Sequence, residues 1–317
     1  MRSRLLAVVF ATAVAAAAFL LQPSSLAQTI LIQEPFENTS YTSRGWYDTT
    51  GGPLSTVEKY SGASSLQIRF APGATNPTGG DIGRHKFPDS DSVYISYYIK
   101  HSANWVGSGQ AFHPHMFLFL SNMDGDYSGP AYSYLDAYIE NVGGVPRFSL
   151  QDGRNIDEMR VGQNLVGVTE TRSVAGCNGD SDGYGNGDCY VAGAVHWNGK
   201  EWPASQVYFD NNSSGPYYKN NWHRVEAYFK LNTVSGGIGQ QDGIIRYWYD
   251  GTLIMQHTNI VLRTGARATL KFNKAMLLPY IGSGSPVDQT MWIDDLTIAT
   301  APPSTVPGAP ANLQLQR

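Results

Sequence analysis

The fold class this sequence predicts is all-β, an antiparallel β-sandwich, and three observations predict it. Apolar and polar residues alternate over many short segments, pairs such as Pro-Gly, Asn-Pro and Asp-Gly separate those segments, and no stretch shows the apolar spacing of an amphipathic helix. Alternation at period two marks a strand with one buried face, because successive side chains of a strand point to opposite sides.

The chain opens with Arg2 and Arg4 ahead of an apolar run from Leu5 to Leu21, and Ser25-Leu26-Ala27 puts small residues where a signal peptidase reads. We expect residues 1–27 to be a signal peptide, residues 28–300 to form one domain and residues 301–317, rich in proline, to be a linker or tail. The protein is then secreted, extracellular or periplasmic, with no membrane anchor after cleavage, and is expected to be a monomer. Without Arg2 and Arg4 the chain has 20 Lys and Arg (22 less the two) against 26 Asp and Glu, a balance that argues against nucleic acid as a partner.

Ile30 to Phe36 reads as the first strand, followed by Ser64 to Phe70 and Val93 to Lys100. Phe112 to Leu120 comes next, with His113, His115, Phe117 and Phe119 on one face and Met116, Leu118 and Leu120 on the other. Pro114 has no N–H to give a ladder, so this strand should lie at an edge or start after the proline. Tyr132, Tyr134, Asp136, Tyr138 and Glu140 then share one face of the next segment, and Arg147, Ser149 and Gln151 alternate with Phe148 and Leu150. These three segments offer imidazoles, phenols, a carboxylate, a guanidinium and an amide to what we expect to be a common surface.

The stretch from Asn221 to Met255 reads as a long antiparallel hairpin. Arg224, Glu226, Tyr228 and Lys230 alternate with Val225, Ala227, Phe229 and Leu231, and Ile244 to Asp250 returns the chain, adding Arg246 and Trp248 to the polar side. Flat rings suit sugar faces, and Arg and Lys suit hydroxyls or carboxylates. Ala268, Leu270 and Phe272 alternate in turn, and Met291 to Ala299 is the last strand expected.

Trp222-His223, Val225-Glu226, Leu231-Asn232-Thr233, Asp242 to Gly251 and the closing Met291-Trp292-Ile293-Asp294-Asp295-Leu296 resemble the central and last strands of concanavalin A-like jelly rolls. Within that superfamily the chain is most similar to jelly-roll polysaccharide lyases and their secreted relatives. The resemblance implies a polysaccharide partner and β-elimination of a uronate-containing chain. Such a lyase needs a neutraliser for the C5 carboxylate, a base for the C5 proton and an acid for the leaving oxygen. His113, His115, Arg147 and Gln151 are candidates for the first role, and His115, Tyr134 and Tyr138 for moving protons. Tyr132, Asp136 and the hairpin residues Arg224, Glu226, Tyr228, Lys230, Arg246 and Trp248 are candidates for holding substrate in one shared trough.

Two other readings stay open at this point. A non-catalytic carbohydrate-binding module would use the same residue types. A glycoside hydrolase would need a carboxylate pair such as Asp136 with Glu140 or Glu226, although the Glu-x-Asp-x-x-Glu strand common in hydrolases of this fold is absent from the sequence.

Gly176 to Tyr190 stands apart as a long loop excursion. Cys177 and Cys189 are the only cysteines in the chain and are expected to form a disulfide in an exported protein. Between them, Asn178, Asp180, Asp182, Gly183, Asn186 and Asp188 have the alternate oxygen donors of a calcium loop, so structural Ca2+ is a second expectation, beside a plain disulfide loop. No organic cofactor is expected.

Overall fold

Seventeen strands and two short 3-10 turns make up the regular structure of the computed structural model, which describes residues 28–127, 134–151, 155, 201–209 and 214–303. The N-terminal half supplies β1 (Ile30–Glu34), β2 (Trp46–Tyr47), β3 (Leu54–Ser55), β4 (Ser65–Phe70), β5 (Gly83–Ser90) and β6 (Ser92–His101). Three strands follow in the middle: β7 (His115–Ser121), β8 (Asp136–Val142) and β9 (Val145–Gln151). The C-terminal half adds β10 (Glu201–Pro203), β11 (His223–Lys230), β12 (Val234–Ser235), β13 (Ile238–Gly239), β14 (Gly243–Tyr249), β15 (Thr252–Ile260), β16 (Phe272–Leu277) and β17 (Gln289–Ala299).

Two large antiparallel sheets result, and β12 and β13 pair with each other as a separate two-stranded ribbon. The first, sheet A, runs β15-β14-β11-β6-β17-β4-β3 with β1 also paired to β17, and the second, sheet B, runs β10-β9-β8-β7-β16-β5-β2. Their inner faces meet through buried rings: Phe148 lies 4.6 Å from Phe229 and 5.3 Å from Tyr247, and Tyr97 lies 4.6 Å from Phe117, centroid to centroid. Val225, Ala227, Ile245, Phe119, Ala137 and Ile139 fill the space between them. This is the sandwich that alternation requires: each sheet gives its apolar parity to a shared core. Among the described residues no helix is long and apolar enough to cross a membrane.

The strand boundaries depart from expectation in physically readable ways. Pro114 precedes β7, which therefore starts at His115 and takes a central place between β8 and β16. The pairing of β7 with β8 slips between His115 and Phe117, a bulge in which one extra residue is absorbed. His115 consequently shares the outward side with Leu118 and Leu120, while Phe117 and Phe119 go to the core, so the expected face of His113, His115, Phe117 and Phe119 is broken by the bulge. Ala268 and Leu270 are not strand residues; a 3-10 turn at Gly265–Arg267 comes first and β16 begins at Phe272. The expected signal peptide, the expected tail beyond residue 303, Tyr132, and the segment with Cys177, Cys189, Asn178, Asp180, Asp182, Asn186 and Asp188 lie outside the described residues.

Candidate active site

Glu140 is the centre of a polar cluster on the outer side of sheet B. It stands directly across from His115 on β7 and from Arg147 on β9, and its parity on β8 turns it away from Ile139 and the core. Its Oε2 accepts from Arg147 Nε at 2.8 Å, from Arg147 Nη2 at 2.6 Å and from the Ser149 hydroxyl at 2.7 Å. Its Oε1 is in hydrogen-bond contact with His115 Nδ1. The carboxylate is 1% exposed. Burial alone would raise its pKa, but His115, Arg147 and Ser149 together outweigh burial and hold the group at about 2.

That pairing fixes the chemistry of His115. An ionised carboxylate on Nδ1 requires the proton there, so the neutral ring carries its lone pair on Nε2. A carboxylate that orients a histidine in this way is the base-and-orienter arrangement used wherever an imidazole removes a proton.

His113 and Tyr280 complete the cluster. The His113 ring lies 4.3 Å from His115 and 5.3 Å from Tyr280. Burial, then His115 and Arg147, lower its pKa to about 4 against a raising effect of Glu140, so it is neutral at neutral pH, and its Nδ1 has no hydrogen-bond partner among the described residues. His113 adopts a φ of 58°, left-handed and uncommon for a residue with a side chain, a strain of the kind that concentrates at functional sites. Gly282 packs against this ring, and a Cβ there would lie 2.6 Å from His113 Nε2, so a larger residue would push the imidazole aside. Tyr280 exchanges two backbone hydrogen bonds with His115, of 3.1 and 3.2 Å, which brings its ring beside both imidazoles; it is 38% exposed and is the open side of the cluster. On the same outer side, Tyr138 packs with Leu118 and Leu120, buried, with its ring 4.4 Å from His115.

Of the residues singled out from the sequence, His113, His115, Tyr138 and Arg147 come together here. Gln151 ends β9 opposite Asp136. Tyr134 does not join: its backbone N–H donates to Asp124 at 2.6 Å and Arg267 lies over its ring, at the far end of the sheet. Asp136, buried, pairs across to Leu120 at that same end. Tyr280, Ser149 and the orienting role of Glu140 were not read from the sequence. Tyr280 follows a proline and a loop after β16, and only its bridge to His115 reveals it.

The hairpin residues lie elsewhere. Arg224, Glu226, Tyr228 and Lys230 on β11 and Arg246 and Trp248 on β14 belong to sheet A, with the parity opposite to the core residues Val225, Ala227, Phe229, Ile245 and Tyr247. They therefore face away from the sandwich on the side opposite the histidines, and the expected shared trough does not form. Glu226 there accepts from the Tyr94 hydroxyl and pairs with Arg224 at 3.1 Å, Tyr228 and Trp248 pack against Tyr94, and Arg246 donates to Gln256 at 2.7 Å.

No protein family and no curated protein matches the sequence. Among solved structures, the PL-14 alginate lyase from Aplysia kurodai superposes with a TM-score of 0.52 at 14% identity, over 86% of this chain and 100% of that one. Alginate lyase vAL-1 from a Chlorella virus gives 0.51 at 12% identity over the same shares. An endo-β-1,4-glucuronan lyase from Trichoderma reesei gives 0.47 at 15% identity, over 86% of this chain and 96% of that one. The chain has the all-β sandwich fold found in jelly-roll polysaccharide lyases, and at these identities the likeness speaks to the fold.

Proposed function

We propose that the protein is an exported polysaccharide lyase that cleaves a uronate-containing chain by β-elimination. The observation that carries this reading is the ionised, buried Glu140 holding His115 by Nδ1, with Nε2 left as the basic atom beside an exposed phenol. In the reaction His115 Nε2 takes the proton from C5 of the uronate. The electrons of that C–H bond form the C4–C5 double bond as the C4–O bond breaks, and the Tyr280 hydroxyl gives a proton to the departing oxygen. His113, neutral and beside His115, is placed to donate a hydrogen bond to the substrate carboxylate as charge builds on it, and Arg147 adds positive charge behind Glu140. The balance closes without an oxidant or a second substrate. The two solved structures named above with TM-scores of 0.51 and 0.52 are called alginate lyases, and alginate is a polymer of uronates, which supports the substrate class.

Hydrolysis fits the geometry less well. Asp136 and Glu140 lie four residues apart on one strand, about 13 Å at strand rise, wider than the carboxyl separations of glycosidases. Glu226 lies on the other sheet.

The test is incubation of the purified protein with alginate, glucuronan and other polyuronates while following the ultraviolet absorbance of the unsaturated product. Growth of that absorbance with chain shortening supports elimination. New reducing ends without absorbance would replace it with hydrolysis, and binding without either would leave a carbohydrate-binding module.

A further inference from the structure

The outer side of sheet A carries a row of residues that the proposed elimination does not use. Trp292 on β17 stands across from Lys100 on β6 and from Gln67 on β4. Trp222 immediately precedes β11, whose first residue His223 pairs with Ile99, so Trp222 is level with Lys100 on the next strand over. The order across four neighbouring strands is Trp222, Lys100, Trp292, Gln67. Adjacent strands are about 4.8 Å apart, which sets the two indoles about 10 Å from each other, on the order of the length of a disaccharide.

The row is held in place. Lys100 Nζ lies 5.9 Å from the Trp292 ring centroid, and Trp292 Nε1 donates to Gln67 Oε1 at 3.3 Å. Tyr60, 46% exposed, stacks on Tyr98 with centroids 3.5 Å apart and meets Trp222 edge-on at 6.1 Å, forming a wall beside the row. The loop bearing Tyr60 is fastened by Asp294, whose Oδ2 accepts the Tyr60 and Ser61 N–H groups at 2.8 and 3.1 Å. Trp222 and Trp292 are both half-buried, each ring seated on the sheet with part of it open to solvent.

Charge is balanced along this row. Lys100 is paired with Glu58 at 2.6 Å, so the row between the two indoles adds no unpaired cation of its own. Flat rings at sugar spacing, interleaved with an amide and a balanced ion pair, match the alternating apolar faces and hydroxyl edges of a pyranose chain.

We propose that the outer side of sheet A is a second polysaccharide-binding surface, on which a pyranose chain lies across the strands, stacked on Trp222 and Trp292, with its binding indifferent to the charge of the polymer. The surface acts by holding polymer and does no chemistry, so it stands whether or not the opposite side is a lyase.

The experiment is affinity electrophoresis of the full chain in native gels containing alginate or a neutral β-1,4-glucan, at low and high salt. Trp222→Ala and Trp292→Ala are each expected to weaken the affinity for the neutral glucan about tenfold, the loss of roughly one ring stack. Trp292→Phe is expected to recover part of the loss, and retardation by the glucan is expected to persist at high salt. Trp222 lies outside the strands, so Trp222→Ala with an unchanged melting temperature decides the matter even if Trp292→Ala fails to fold. Folded variants retarded like the wild type, a wild type not retarded by the neutral glucan, or binding abolished by salt would overturn the proposal. Product absorbance with polyuronates, measured separately, reports on the Glu140–His115 cluster alone.

Discussion

The two outer sides of the sandwich start from the same residue types and reach opposite chemistries. On sheet B, bulging of β7 and the parity of β8 and β9 drive one carboxylate, one guanidinium and an imidazole into a buried cluster with a second imidazole and an exposed phenol on its rim. On sheet A, the buried Glu226 accepts from Tyr94 and pairs with Arg224, whose side chain is 36% exposed, but the neighbours of this pair are rings and hydroxyls, and no histidine joins it among the described residues. What separates the two is an imidazole whose tautomer is set by a carboxylate. Proton transfer needs that feature and sugar stacking does not.

The largest effect expected from this contrast is at Glu140. Glu140→Ala leaves Arg147 buried without its partner and His115 without an orienter, so it is expected to cost about 3 to 5 kcal/mol of stability and most of the turnover, read by denaturant unfolding and product absorbance. Turnover unchanged in a folded variant would place the chemistry elsewhere. Tyr280→Phe removes one hydroxyl from an exposed ring and should lower turnover about a hundredfold with the melting temperature kept. If both were unchanged, the leaving oxygen would take its proton from another group, with Tyr138, buried and with its ring 4.4 Å from His115 against 6.3 Å for Tyr280, the other phenol of the cluster.

Acid sensitivity separates the two sides of the account further. His101 is fully buried against Trp105, and burial, then His223 and Lys219, lower its pKa to about 3, while His113 is lowered to about 4. Folded-state values below the ordinary 6.5 mean that the unfolded chain binds the extra protons, so stability is flat above pH 6.5 and falls as pH drops from there towards 4 and 3. The Glu140 carboxylate, held at about 2, contributes stability present above its ordinary value of 4.5 and lost only in stronger acid. Thermal melts from pH 8 to pH 5 should show the first loss without the second, and His101→Phe should flatten part of the slope. The smallest effect is expected at Arg224, where Arg224→Ala should leave turnover within about twofold, because its guanidinium lies on the outer side of sheet A, away from His113 and His115. A large loss of turnover there would mean that the two sides are coupled.

Much of the sandwich was legible from alternation alone. Val225, Ala227 and Phe229, or Leu66, Ile68 and Phe70, announce their buried parity because a strand has only two sides. Which sheet a strand joins is a different matter: parity on β11 and on β8 is equally clear, yet nothing local states that β11 pairs with β6 and β14 while β8 pairs with β7 and β9. The shared trough failed for that reason. The bulge at His115 was hidden because it depends on the partner strand, and Tyr280 because its neighbourhood to His115 is made by a pairing across more than 160 residues of chain. His113, His115 and Arg147 were visible as residue types; the carboxylate that organises two of them stood in the sequence as one more polar position of a strand.

The measurement closest to the central claim compares His115→Ala with the wild type on a polyuronate that the wild type cleaves, reading bound polymer and unsaturated product in the same samples. The expected result is binding within a few-fold of the wild type and turnover lower by about a thousandfold, because the proton acceptor is gone while the surface that holds the chain remains. Product formed by His115→Ala at the wild-type rate would contradict the assignment of the base.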